Sequence, residues 1–380
     1  MSSQLDAAPA EFENAPGLLL RPPAPRAPGQ RPTPNLLRRI VNRRLLWVIA
    51  KYGFGIGVLA WVLWANWDPG GNAVGLKGML QRPMHFGFLA AGILICTASL
   101  LLTFVRWYYL VRAQDLPFTL RDAIRLGMVG FFMSTFLPGV IGGDVVKAAV
   151  LVREQSRRTV AVATVAFDRI LGLVGLFWLA ALLGAVFWLT GDLRGQAVLL
   201  SIIAGAWAVC GSLLLGWFVL GLLRTPRADA LAARLERLPK VGGPLAELWR
   251  AAWLYRRRGR SVWLALGLAI LGHVGFVITF YFGSLTLSPA ESIPSLKEHY
   301  LIVPVGMLIQ AGFPAPGGMG GGEFAFGKLY EVIGKVFESG VLASLIYRVI
   351  SWILGLAGYM VYLRMGPSLA LPRAEPQPET

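Results

Sequence analysis

Two short stretches of this chain place an acid just after a proline-glycine break and an arginine 25 positions further on. LPGVIGGD (137–144) ends on Asp144, with Arg169 25 residues later; APGGMGGGE (315–323) ends on Glu323, with Arg348 again 25 residues later. A carboxylate and a guanidinium form an ion pair, and a guanidinium also grips phosphate through two parallel hydrogen bonds. Pro138 and Pro316 lack the amide hydrogen that helix continuation requires. Gly139, Gly142 and Gly143, and Gly317, Gly320 and Gly321, tolerate backbone angles closed to other residues. Each break therefore frees backbone amides, and where a helix restarts, near Val145 and near Phe324, its first N–H groups form a positive pole suited to an anion. The acids have two readings at this point: each caps its own helix, or each serves as counter-ion to an arginine. Lys147, one turn after Asp144, supplies a second cation or a local pair with that acid.

The elements that position these groups must be membrane helices. The 380 residues are 56% hydrophobic and only 15% charged, against about 25% charged in soluble domains. Apolar runs long enough for the roughly 20 residues of a crossing fall at 45–66, 86–105, 160–189, 197–223, 262–285 and 339–363. The expected fold is an all-α polytopic membrane protein with six full spans plus two re-entrant helical hairpins. The segments 123–137 and 145–152, and 300–313 and 324–335, are too short to span and flank the two breaks. Three crossings in each half turn the second half over relative to the first, an inverted repeat of the kind many transporters use. The first half is expected over 36–195 and the second over 196–365, with a cytoplasmic segment at 224–260. An arginine at the centre of a span costs roughly 2.5–3.5 kcal/mol, so Arg169 and Arg348 need partners, for which Asp144, Asp168 and Glu323 are the candidates.

The net charge of +16 would point to nucleic acid in a soluble chain. Here its distribution sets orientation, and no nucleic-acid partner is expected. Arg38, Arg39, Arg43 and Arg44, Arg106 to Arg125, Arg153 to Arg158 and the basic run from Arg224 to Arg260 fall on one side. Only Lys77, Arg82, Arg194, Lys297, Lys328 and Lys335 fall on the other. The positive-inside rule then puts both termini in the cytoplasm of an inner-membrane protein. Residues 1–35, rich in Pro and Ala and without a signal-peptide pattern, and 366–380 are expected as disordered tails. Segment 224–260 either lies on the inner leaflet, with Trp249, Trp253 and Tyr255 at the headgroups, or packs as a loop helix on the bundle. Gly53 and Gly57, and Gly172 and Gly175, have the spacing of close helix contacts.

Catalytic and cofactor signatures are missing from the sequence. There is no Walker loop, GxSxG elbow or HExxH motif. Cys96 and Cys210 sit in apolar spans, and His85, His273 and His299 have no ligand spacing. No metal, no cofactor and no enzymatic reaction are expected.

Taken in order, FFMSTFLPGVIGGDVVKAAVL, VAFDRILGLVGL, GFPAPGGMGGGEFAFG and LIYRVISWILGL resemble the transmembrane region of lysylphosphatidylglycerol synthases and the stand-alone flippase-like proteins related to it. The resemblance runs over about 40–365. It implies a membrane domain that moves a phospholipid or polyprenyl-linked lipid between leaflets. Pro138, Gly139, Gly142, Gly143, Asp144, Asp168 and Arg169 would form one half of the path, and Pro316, Gly317, Gly320, Gly321, Glu323 and Arg348 the other. With the chain ending at residue 380, lysyl transfer by this chain alone is not expected. The leading expectation is thus a flippase or scramblase for an anionic lipid. The alternative is a non-transporting subunit that docks a lipid-modifying enzyme or glycosyltransferase through 224–260.

Overall fold

The computed structural model describes residues 34–68, 75–136, 142–154, 157–191, 197–238, 242–288 and 290–365, and the described residues are helical with short turns and no strand. The helices are α1 (Pro34–Ala65), α2 (Leu76–Leu80), α3 (Phe86–Arg112), α4 (Leu120–Phe136), α5 (Gly142–Glu154), α6 (Arg158–Leu189) and α7 (Ala197–Leu222). They continue with α8 (Thr225–Glu236), α9 (Gly242–Arg257), α10 (Gly259–Leu287), α11 (Leu296–Gly312), α12 (Gly321–Val332) and α13 (Phe337–Met365). The chain divides into Met1–Trp47 and Val48–Thr380; every contact described below lies within the second unit.

Among the described residues, five helices are long and apolar enough to cross a membrane: Phe86–Arg112, Arg158–Leu189, Leu199–Leu222, Gly259–Leu287 and Phe337–Met365. The protein is an integral membrane protein with a multi-span helical bundle. The first of the six expected spans falls within α1, whose apolar part is the shorter Ile49–Ala65.

Around each break the order of elements is the same. A long helix (α3 or α10) is followed by two short ones (α4 and α5, or α11 and α12) and then by another long one (α6 or α13). The packing repeats as well. α3 lies on α4 as α10 lies on α11, α5 on α6 as α12 on α13, and α3 on α6 as α10 on α13. Across the two blocks α4 meets α13 as α11 meets α6, and α3 packs along α10 at the centre.

Lipid tails are as apolar as leucine, so association of these helices rests on close packing and interhelical polar contacts rather than on water exclusion. Small residues supply the close approach. A Cβ on Gly175 of α6 would lie 2.7 Å from Ala269 Cβ of α10, and one on Gly55 of α1 2.6 Å from Ala315 Cβ. Gly53 and Gly57 have open space around them, so it is Gly55, on another face of α1, that makes the contact.

Segment 224–260 packs on the bundle at its C-terminal end. Tyr255 is buried, stacks on Phe167 with ring centroids 4.1 Å apart, and donates a 3.0 Å hydrogen bond to the Leu110 carbonyl. Burial also pushes its hydroxyl pKa up. Trp249 donates to the Ala228 carbonyl at 2.9 Å, tying α9 to α8. The expectation of Tyr255 at the headgroups is therefore corrected, because the ring is an anchor inside the protein.

Candidate functional site

Both short helices after the breaks begin with two glycines and carry the acid third: Gly142, Gly143 and Asp144 open α5, and Gly321, Gly322 and Glu323 open α12. Each helix starts three residues before the expected Val145 and Phe324, which places the acids inside the first turn, where the helix dipole favours a carboxylate. The glycines let the short helices close. A Cβ on Gly143 would collide with the Gly130 carbonyl and Ser134 of α4. At the second break Gly317, Gly318 and Gly320 hold φ of 56°, 67° and 82°, a left-handed region that strongly favours glycine. Pro316 starts the 3-10 turn that Gly317 and Gly318 continue, and Gly320 precedes α12. Pro138 and Gly139 lie outside the described residues.

Each acid meets the arginine 25 positions on. Arg169 Nε lies 2.5 Å from Asp144 Oδ2 and Arg348 Nε 2.6 Å from Glu323 Oε1. The two pairs differ in surroundings. The Glu323 and Arg348 side chains are 0% and 6% exposed, whereas that of Arg169 is 47% exposed. Glu323 combines both roles read from the sequence: its Oε2 accepts the Gly320 N–H at 2.7 Å, capping α12, while Oε1 pairs with Arg348. Arg348 Nη1 donates to the Gly317 carbonyl at 3.1 Å, and so does Gln310 Nε2 at the same distance.

Asp168 does not serve Arg169 or Arg348. It pairs with Arg106 of α3 at 2.7 Å, with both side chains buried. Successive helical residues point about 100° apart, so Arg169 turns to α5 while its neighbour Asp168 turns to α3. Arg106, counted from sequence among the cytoplasmic flanking cations, is thereby corrected to a buried site residue. Its guanidinium lies over Gly172, where a Cβ would come 3.2 Å from Nη1. The signal missed is that Arg106 interrupts an apolar and aromatic stretch, FVRWYYLV, that is helical to Arg112.

These charges converge on one cavity of about 360 Å³, lined by α3, α4, α5, α6, α10, α11, the turn at Gly317 and α13. Arg106, Lys147, Arg169 and Arg348 line it; of the carboxylates only Asp168 does. Lys147 Nζ lies 3.9 Å from Asp144 Oδ1 and 5.2 Å from the Trp107 ring centre. Its side chain is 8% exposed. Three polar atoms on cavity-lining residues have no partner among the described residues: Arg348 Nη2, Ser134 Oγ and His273 Nδ1. His273 Nε2 donates to the Gly172 carbonyl at 2.9 Å. No cluster able to hold a metal occurs among the described residues.

The fold and the cavity define a class: a polytopic helical membrane protein with a cationic chamber between two helix breaks. The chain matches the family model of the lysylphosphatidylglycerol synthase TM region over residues 48–358 and belongs to that family, the non-catalytic, flippase-like membrane portion of those synthases. No curated protein and no solved structure matches the chain. Membership and the multi-span bundle together support a general role in lipid transport.

Proposed function

We propose that the protein moves an anionic lipid, a phospholipid or a polyprenyl-linked lipid, between leaflets as a flippase or scramblase. The observation that carries this reading is the 360 Å³ cavity lined by four cations, one of which, Arg348, keeps a buried nitrogen without a partner among the described residues. A buried guanidinium group with an unused donor is costly, and an anionic headgroup oxygen satisfies it. In this mechanism Asp144 and Glu323 hold Arg169 and Arg348 while the chamber is empty, and the headgroup shares or takes over their hydrogen bonds as it passes. The lipid's chains stay in the bilayer.

The matching packing of α3 to α6 and α10 to α13 supports an inverted repeat. In it α4 with α5 and α11 with α12 are re-entrant hairpins dipping from opposite faces, and α1 supplies a sixth span. The basic flanks support cytoplasmic termini. Pro138, Gly139, Gly142 and Gly143 at the first break, and Pro316, Gly317, Gly320 and Gly321 at the second, shape the path. Lys147, Asp168, Arg169 and Arg348 face the headgroup.

The test is leaflet exchange of labelled lipid in proteoliposomes, with Arg169→Ala and Arg348→Ala beside the wild type and a melting curve for each variant. Loss of exchange in both, with folding retained, is expected. Wild-type rates in both variants would refute the reading.

A further inference from the structure

The cavity's charges do not cancel. With Lys147 protonated, it and Arg106, Arg169 and Arg348 carry four positive charges, while Asp144, Asp168 and Glu323, their only ion-pair partners among the described residues, carry three. The surplus cation is Lys147: of the two carboxylates that act on it, Asp144 is engaged more closely by Arg169 and Asp168 is held by Arg106. Among the described residues no carboxylate at the cavity is left over: Asp168, the one that lines it, is held at 2.7 Å by Arg106, and the stretch LPGVI (137–141) contains no acid.

The surplus belongs to the first hairpin. Aligned on the acid, Lys147 of α5 corresponds to Phe326 of α12, and Asp168 corresponds to Tyr347. The stem of Lys147 packs over Gly130 as the ring of Phe326 packs over Gly306. Phe326 is buried against Phe280, with ring centroids 4.2 Å apart. At the position where the second hairpin places an aromatic core residue, the first places an ammonium at the cavity wall.

Building on the transport reading, we infer that the substrate is a lipid with one phosphodiester charge and no amine in its headgroup, its phosphate held by Lys147 and the open Nη2 of Arg348. One surplus positive charge is neutralised by one phosphodiester. A diphosphate brings at least one further negative charge for which the cavity has no free cation. An ammonium headgroup, including an aminoacylated one, finds no free carboxylate, and an unpaired buried charge is strongly disfavoured. The substrate then differs in headgroup charge from the lysylated lipid in the family's name.

The experiment titrates the purified full chain in detergent with phosphatidylglycerol, phosphatidylethanolamine and a polyprenyl diphosphate, read by native mass spectrometry. Phosphatidylglycerol is expected to bind at least about 10-fold more tightly than either competitor. A charge-assisted hydrogen bond corresponds to about 10–100-fold in affinity. Lys147→Met, which keeps the stem's volume and removes a buried charge, is expected to lose that much for phosphatidylglycerol while melting no lower than wild type. Lys147→Arg is expected to retain it. Equal binding of phosphatidylethanolamine, tighter binding of the diphosphate, or undiminished phosphatidylglycerol binding by Lys147→Met would overturn the inference. The two readings separate cleanly. Equal exchange of all three lipids in proteoliposomes sinks the charge selection and leaves transport standing, whereas selective binding with no exchange of any lipid sinks transport alone.

Discussion

The two acid–arginine pairs share a spacing of 25 residues but not an environment, and this difference has a measurable consequence. Glu323→Gln removes the charge facing Arg348 while leaving an amide oxygen able to accept from Gly320 N–H. Both side chains are almost fully buried, and the contacts are 2.6 Å to Arg348 and 2.7 Å to the Gly320 amide. Among the described residues Arg348 has one other acceptor, the Gly317 carbonyl, so most of its charge is left uncompensated. Removing one partner of a buried pair costs about 3–5 kcal/mol, which at about 1–2 °C per kcal/mol for a chain of this length is on the order of 3–10 °C of melting temperature. Asp144→Asn breaks a pair whose arginine is 47% exposed, about 1 kcal/mol or less for that pair, and weakens the compensation of the buried Lys147 at 3.9 Å, so its total cost is expected to stay below that of Glu323→Gln. Replacing the buried pair as a whole, Glu323→Leu with Arg348→Met, is expected to restore most of the stability, because the lone charge is then absent. The assay is thermal unfolding of the purified protein followed by tryptophan fluorescence. A Glu323→Gln protein that melts within 2 °C of wild type, or an Asp144→Asn protein that melts lower than Glu323→Gln, would refute the burial argument.

Other expected outcomes follow from the same geometry. Asp168→Asn leaves Arg106 buried and unpaired, and a loss of about 3–5 kcal/mol is expected by thermal unfolding; a change below 1 kcal/mol would remove Arg106 from the buried network. Gly143→Ala drives a methyl group into the Gly130 carbonyl and should cost at least about 1–3 kcal/mol. Gly53→Ala, with open space around it, should be neutral or gain about 0.5–1 kcal/mol as helix entropy is relieved. Tyr255→Phe loses its bond to Leu110 O and should lower stability by about 1 kcal/mol, measured by the melting midpoint; an unchanged midpoint would show that the hydroxyl contributes nothing to holding α9.

The paired acids and arginines were legible in the sequence because the chain uses one arrangement twice, and a spacing of 25 residues survives as a pattern even when its three-dimensional meaning is unknown. The long spans were legible from apolar length alone. Arg106 was not, because a cation at the end of an apolar run reads as a flanking charge. The continuation of the apolar stretch past it, FVRWYYLV, hints otherwise, and its contact with Asp168, 62 positions away, shows it. That same contact explains why Asp168, next to Arg169 in sequence, serves a different partner. Neither could the sequence decide between cap and counter-ion for Glu323, since a carboxylate has two oxygens and the protein uses one for each. The cavity itself is made by eight separate elements, and no local pattern encodes such a volume. Gly53 and Gly57 show the opposite error: their spacing matched a packing motif, but the face of α1 that meets the second break carries Gly55.

The proposed role of the cationic chamber between the two breaks is to carry a lipid headgroup across the membrane. It is tested most directly by the rate of fluorescent phosphatidylglycerol exchange between leaflets in proteoliposomes, read by dithionite quenching, for wild type and for the Glu323→Leu/Arg348→Met double variant, which is expected to remain folded. The chamber reading requires rapid exchange in the wild type and exchange at the protein-free background in the variant. A folded variant that exchanges lipid as fast as the wild type would contradict it.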